Sequence, residues 1–284
     1  MARHIACLTF DFDAWSGLTA RGLTTATPVS RGEFGPLGVR RILPLLQRNG
    51  IAASFFVPGI VIETYPQVCG EIVAGGHEIG HHGYTHRVPA TLTQEVEEEG
   101  LMRGIECIEK LTGRRPRGYR SPSWDISDRT VELLLREGFL YESNLMGNDY
   151  TPYFTRRGDV ASADAPLRFG EHTSLIEMPV AWSLDDFPHF EFLRTQQQLM
   201  PGLMNARLVL ENWIADYDYM AREFEWGVIT FTFHPFVIGR GHRMLALEGL
   251  IEHLKNTGAV FMRLEDAARE FQRKVDSGEV TPYP

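Results

Sequence analysis

Four short runs in the sequence carry side chains that could share one chemical centre. The first is Leu8-Thr9-Phe10-Asp11-Phe12-Asp13. Residues two apart on a strand point the same way, so Asp11 and Asp13 can face one site while Phe12 packs behind them. Two crowded carboxylates resist ionising together, and a bound cation relieves that repulsion. The second run, residues 77–86, holds four of the ten histidines. His82 and His86 are spaced i,i+4, which on one helical turn stacks both imidazoles on one face. His77 and His81 share that spacing, so spacing alone does not choose between the pairs. Two histidines with one carboxylate make the usual open site for zinc or another divalent metal, with positions left for water and substrate.

The third run, Arg117-Gly118-Tyr119-Arg120-Ser121-Pro122, places Arg120 just before a proline that stops a strand, where its guanidinium could hold a carboxylate in a forked pair. The fourth, Val228-Ile229-Thr230-Phe231-Thr232-Phe233-His234-Pro235, is β-branched and aromatic and delivers one histidine at its end. His234 is a general-acid candidate.

Each run closes an apolar stretch, and those stretches alternate with amphipathic ones. Strands are expected over residues 5–10, 51–57, 78–80, 118–122, 140–143, 174–180, 228–233 and 260–263. Helices are expected over 37–48, 61–74, 92–111, 128–137, 206–224, 244–255 and 265–273. Seven or so strand–helix pairs predict a single α/β domain over residues 1–284, built as a parallel barrel with its chemistry at the C-terminal ends of the strands. The irregular segments 14–36, 146–171 and 182–192 are expected to roof the barrel mouth with aromatic and loop mass.

A chain of 284 residues with 43% hydrophobic and 23% charged side chains is globular, which excludes disordered and fibrous classes. Its net charge of −9 disfavours a polyanionic partner such as nucleic acid. Cys7, Cys69 and Cys107 are widely spaced and odd in number, which reads as reduced core thiols. The first apolar stretch begins at Ile5 without a charged leader or cleavage site, and no run is long enough to span a bilayer. A cytoplasmic location with no membrane partner is therefore expected; a homo-oligomer stays open.

The order Thr-Phe-Asp-x-Asp, His-x-x-x-His, Arg-x-Pro and a late Phe-His at a strand end resembles the polysaccharide deacetylase superfamily, also called the nodulation-factor deacetylase homology domain, over about residues 5–269. The resemblance implies a distorted (β/α)7 barrel and hydrolysis of carbon–nitrogen bonds other than peptide bonds. It also implies Asp11 as catalytic base, Asp13, His82 and His86 as ligands of a divalent metal, zinc foremost, Arg120 as the tether of Asp11, and His234 as the acid. Two departures stand out. Phe12 separates aspartates that are adjacent in typical members, and the Asp-x-Trp motif that supports the acid is missing in that order. The nearest match runs from Trp182 to Asp185 and Asp186, which are therefore candidate supporting residues. Arg240, in Gly239-Arg240-Gly241-His242-Arg243, is a candidate substrate contact. These variants resemble a branch that holds peptidoglycan deacetylase-like proteins, cyclic imide hydrolases and allantoinases that need no metal. The expected substrate is a small amide, cyclic imide or ureide, with an N-acetylated amino sugar or peptidoglycan, a metal-independent hydrolysis and an inactive binding module as alternatives.

Overall fold

In the computed structural model, which describes residues 2–194 and 199–282, the first apolar run forms strand β1 (Arg3–Asp11), buried from Ile5 to its end. A strand buried on both faces reads as a continuous apolar run, as expected at the centre of a parallel sheet. The even positions Leu8, Phe10 and Phe12 pack outward against the helices, whereas Ile5 and Cys7 belong to an inner cluster with Phe56, Tyr141, Ile176 and Val228. That two-residue alternation carries Thr9, Asp11 and Asp13 along the inner face towards the mouth.

Strand β1 pairs in parallel with β2 (Ser54–Val57), which is followed in the same sense by β3 (Glu78–His81), β4 (Gly118–Tyr119), β5 (Tyr141–Glu142) and the strand Glu171–Glu177. On the other side of β1 lies Trp226–Phe233, also parallel, with Phe10 opposite Phe233. An antiparallel strand, Tyr153–Arg157, and the short Val260–Phe261 beside β1 complete a nine-stranded sheet. The sheet curls without full closure. Its two ends meet where Val228 N donates to Tyr150 O at 2.8 Å and where Asp185 bridges Thr232. The chain thus has the α/β fold of a distorted (β/α)7 barrel.

Helices Gly35–Asn49, Gln94–Thr112, Ala206–Glu223 and Gly241–Asn256 bury apolar faces in the outer layer, and Leu264–Asp276 plugs the inner cluster with Leu264, Ala267, Ala268 and Phe271. Two expectations need correction. The helix expected over 61–74 is two helices, Gly59–Thr64 and Pro66–Ala74, because Pro66 donates no N–H and forces Tyr65 out of the helical region. Segment 146–171 also does not roof the mouth. Its strand starts with Tyr153 opposite Glu177 and runs back to Arg157 opposite Glu171, leading to an exposed hairpin, Val160–Ser162 with Ala165–Arg168, at the far end. It extends the sheet edge instead. Cys7, Cys69 and Cys107 are free thiols, and no helix among the described residues is long and apolar enough to cross a membrane.

Candidate active site

Inward-facing Asp11 ends β1, and Asp13 lies two residues beyond it. Asp13 is held as the chain turns: its carbonyl accepts from Ser16 N at 3.0 Å and Ser16 Oγ at 2.7 Å. Across the barrel, β4 delivers Arg120, which is fully buried. Its Nη1 donates to Thr9 Oγ1 and to Asp11 Oδ1, both at 2.8 Å, its Nη2 donates to Ser143 Oγ at 2.9 Å, and its Cζ lies 4.3 Å from the Phe56 ring centroid. A buried ion pair is stable only when its remaining donors and acceptors are satisfied. Here β1, β4 and β5 all contribute, and the pair fixes the Asp11 carboxylate.

His82 follows directly on β3. The i,i+4 spacing brings its ring and that of His86 together, with centroids 5.0 Å apart, yet no helix does so. Gly83 takes a left-handed φ of 72°, and a bend over 84–86 returns His86 to the site. A helical turn is excluded because His82 must continue from a strand. His82 Nδ1 donates to Arg120 O at 2.8 Å, which leaves Nε2 as the free acceptor facing Asp13. His82 Nε2 lies 3.2 Å from Asp13 Oδ1, and His86 Nε2 lies 3.0 Å from Asp13 Oδ2. Asp13 Oδ1 is buried without a hydrogen-bond partner among the described residues. Burial alone would raise the Asp13 carboxyl, but the positive charge that His86 and His82 carry when protonated holds it well below the usual carboxylate range.

The other two histidines of the run are structural. His81 Nε2 donates to Leu101 O at 3.0 Å and its Nδ1 accepts from Gly83 N at 3.1 Å, with Tyr119 stacked beside the ring. His77 Nδ1 accepts from Ala53 N at 3.1 Å. Burial pushes both down to about 4, so both are neutral.

Opposite this group, the strand Trp226–Phe233 delivers His234. Its Nδ1 donates to Asp186 Oδ1 at 2.8 Å, its backbone N–H reaches both Asp186 oxygens at 3.0 Å, and its Nε2 points to Asp13 Oδ2 at 3.6 Å. Asp185 lies 3.4 Å from the same Nδ1 and accepts from Phe187 N, capping the short helix Asp186–Phe190. Burial opposes charging His234, but Asp185 and Asp186 together raise it to about 10. Burial likewise lifts Asp185 to about 7. The carboxylates proposed from sequence near Trp182 thus adjoin His234.

Trp182 itself is 47% exposed and stacks on Trp124 with centroids 4.3 Å apart, at the rim. Arg240 lies outside the buried cluster, its Cζ 3.7 Å from the Phe34 ring centroid. Arg21 escaped the sequence reading because nothing in its spacing marks it. The structure brings it over Phe187 and beside Ser123.

The sequence matches the family described as Polysaccharide deacetylase over residues 3–141, a span that contains Asp11, Asp13, His82, His86 and Arg120. It is 36% identical to a peptidoglycan deacetylase of Helicobacter pylori over 93% of this chain and 94% of that one. The chain belongs to the polysaccharide deacetylase family. Its fold superposes on a Mycobacterium smegmatis protein assigned to the polysaccharide deacetylases, with a TM-score of 0.84, 31% identity and coverage of 100% and 93% of the two chains. An allantoinase shares the fold at a TM-score of 0.78 and 21% identity, over 100% of this chain and 93% of that one. Like its family, the protein is a deacetylase-like hydrolase of carbon–nitrogen bonds other than peptide bonds.

Proposed function

We propose that the protein hydrolyses the amide bond of a small substrate, a cyclic imide, ureide or simple amide, at the centre formed by Asp11, Asp13, His82, His86 and His234. One observation carries the reading: an Arg120-tethered carboxylate and a carboxylate-held imidazole face each other across an incomplete Asp13–His82–His86 donor set. A divalent cation fits that set, because the orphaned Asp13 Oδ1 and the converging Nε2 atoms are the donors such an ion takes. Asp13, His82 and His86 would hold it, and when bound it supplies Lewis acidity to the scissile carbonyl and acidifies water.

The chain's own groups do the rest. Asp11, with Oδ1 committed to Arg120, takes the proton of the attacking water on Oδ2. His234 gives a proton from Nε2 to the leaving nitrogen while Asp186 holds Nδ1. The burial of Asp11, Asp13, His82, His86 and His234 excludes bulk water and favours a small substrate over a polymer. Deacetylation of an N-acetylated amino sugar is the second reading, supported by the similarity to the Helicobacter pylori deacetylase. Hydrolysis of succinimide, dihydrouracil, allantoin and N-acetylglucosamine oligomers by one preparation separates them. Ring opening faster than deacetylation is expected; faster release of acetate from the oligomers would establish the second reading.

A further inference from the structure

Arg21 is a half-buried cation at the rim of this centre with no carboxylate partner among the described residues. It follows the short helix Ser16–Thr19, and its Nη1 donates to Gly17 O while its Nη2 lies 3.4 Å from Ser123 Oγ. Two of its five N–H donors are thereby used. Its Cζ lies 5.4 Å from the Phe187 ring centroid. The point where a Gly17 Cβ would lie is 3.2 Å from Asp13 Oδ2 and 3.5 Å from Arg21 Nη1, so the guanidinium is a near neighbour of the Asp13 carboxylate. Burial depresses its basicity, and Asp13 and Asp185 oppose that effect from either side of the mouth. Neither closes an ion pair with it among the described residues.

A desolvated guanidinium that no carboxylate among the described residues pairs with directly is placed to receive an anion from outside. Its planar fork with free N–H edges matches a carboxylate. A phosphate would bring more negative charge against Asp13 and Asp185. We infer that Arg21 is a specificity-determining residue that binds a carboxylate carried by the substrate next to the scissile amide. This rests on the hydrolytic reading above and narrows it to amides bearing a carboxylate. The aromatic wall of Phe187, with Trp124 and Trp182 stacked beside Ser123, flanks the remainder of such a substrate.

N-acetylglycinate and N-acetylglycinamide form a matched pair, an acetamide with and without the carboxylate. Binding of each is followed through tryptophan fluorescence, which Trp124 and Trp182 report locally, in wild type, Arg21→Lys and Arg21→Gln. The wild type should bind the carboxylate probe at least tenfold more tightly, Arg21→Gln should lose that preference, and Arg21→Lys should keep part of it. Inorganic phosphate should not displace the probe. A preference that survives in Arg21→Gln, equal or undetectable binding of both probes by the wild type, or tighter binding of phosphate each overturns the inference. Where a carboxylate substrate is turned over, Arg21→Gln should raise KM and leave kcat within a few fold; a kcat loss at constant KM contradicts a binding role. Hydrolysis is scored separately. Arg21-dependent binding without turnover of any amide leaves the carboxylate site at Arg21 standing and removes the hydrolytic reading together with Arg21's part in substrate selection.

Discussion

Two groups of aspartate and histidine face each other across the barrel mouth, built from the same residue types and unlike in one respect. In the Asp185–Asp186–His234 group the partners are supplied from within: Nδ1 of His234 is held by Asp186, the backbone N–H of His234 caps the same carboxylate, and Asp185 caps a helix. In the Asp13–His82–His86 group the Nε2 atoms of both imidazoles converge on a carboxylate, and Asp13 Oδ1 has no hydrogen-bond partner among the described residues. The first group is complete as protein and tuned to hold a proton. The second is the donor set that, in the proposed function, a cation would complete.

The contrast is broken most severely at Asp13. Asp13→Asn should abolish stoichiometric cation binding and lower turnover on the order of a thousandfold, about 4 kcal/mol of barrier, as read by elemental analysis and steady-state rates. Asp11→Asn, beside it, should keep the cation and still lose turnover by about 10²–10⁴-fold, the contribution of a general base. Loss of the ion in Asp11→Asn would make that residue a ligand.

A smaller change sharpens the other group. His234 is raised to about 10 by Asp185 and Asp186, so it carries its proton throughout the neutral range. Stabilisation from the His234–Asp186 pair is fully present below the ordinary imidazole value of 6.5 and is lost as pH rises through about 10. Asp186→Asn should lower turnover about ten- to a hundredfold and move the alkaline limb of the rate profile to lower pH, since the acid then deprotonates earlier. An unmoved limb would remove His234 from the role of acid. The smallest effect is expected from His81, whose two nitrogens bond Leu101 O and Gly83 N. His81→Leu should retain the cation and cost about 1–3 kcal/mol of stability for the lost hydrogen bonds, measured by urea unfolding.

Much of this arrangement was legible in the residues because period and position coincide. The two-residue alternation of β1 put Asp11 and Asp13 inward with Phe12 outward, and polar residues at the ends of apolar runs marked the mouth. The choice between His82/His86 and His77/His81 was not legible from spacing, since both pairs are i,i+4. It is made by strand phase: β3 buries His81 against Tyr119 and Leu101 and releases His82 at its end. Asp185 and Asp186 were found through a weak sequence match, yet their contacts to His234 depend on a bridge to Thr232 that no local pattern encodes. Arg21 was invisible for the same reason, because Ser123 and Phe187 meet it only through the tertiary fold. The segment 146–171 misled because low periodicity signals irregular chain without saying which end of the barrel it covers.

The most direct test of the account is a titration of chelator-treated protein with zinc, following cation binding and amide hydrolysis together in wild type and in His82→Ala. One equivalent per chain should bind to the wild type and restore turnover in parallel, while His82→Ala should do neither. Full turnover by the cation-free wild type, or equal binding by both proteins, would contradict it.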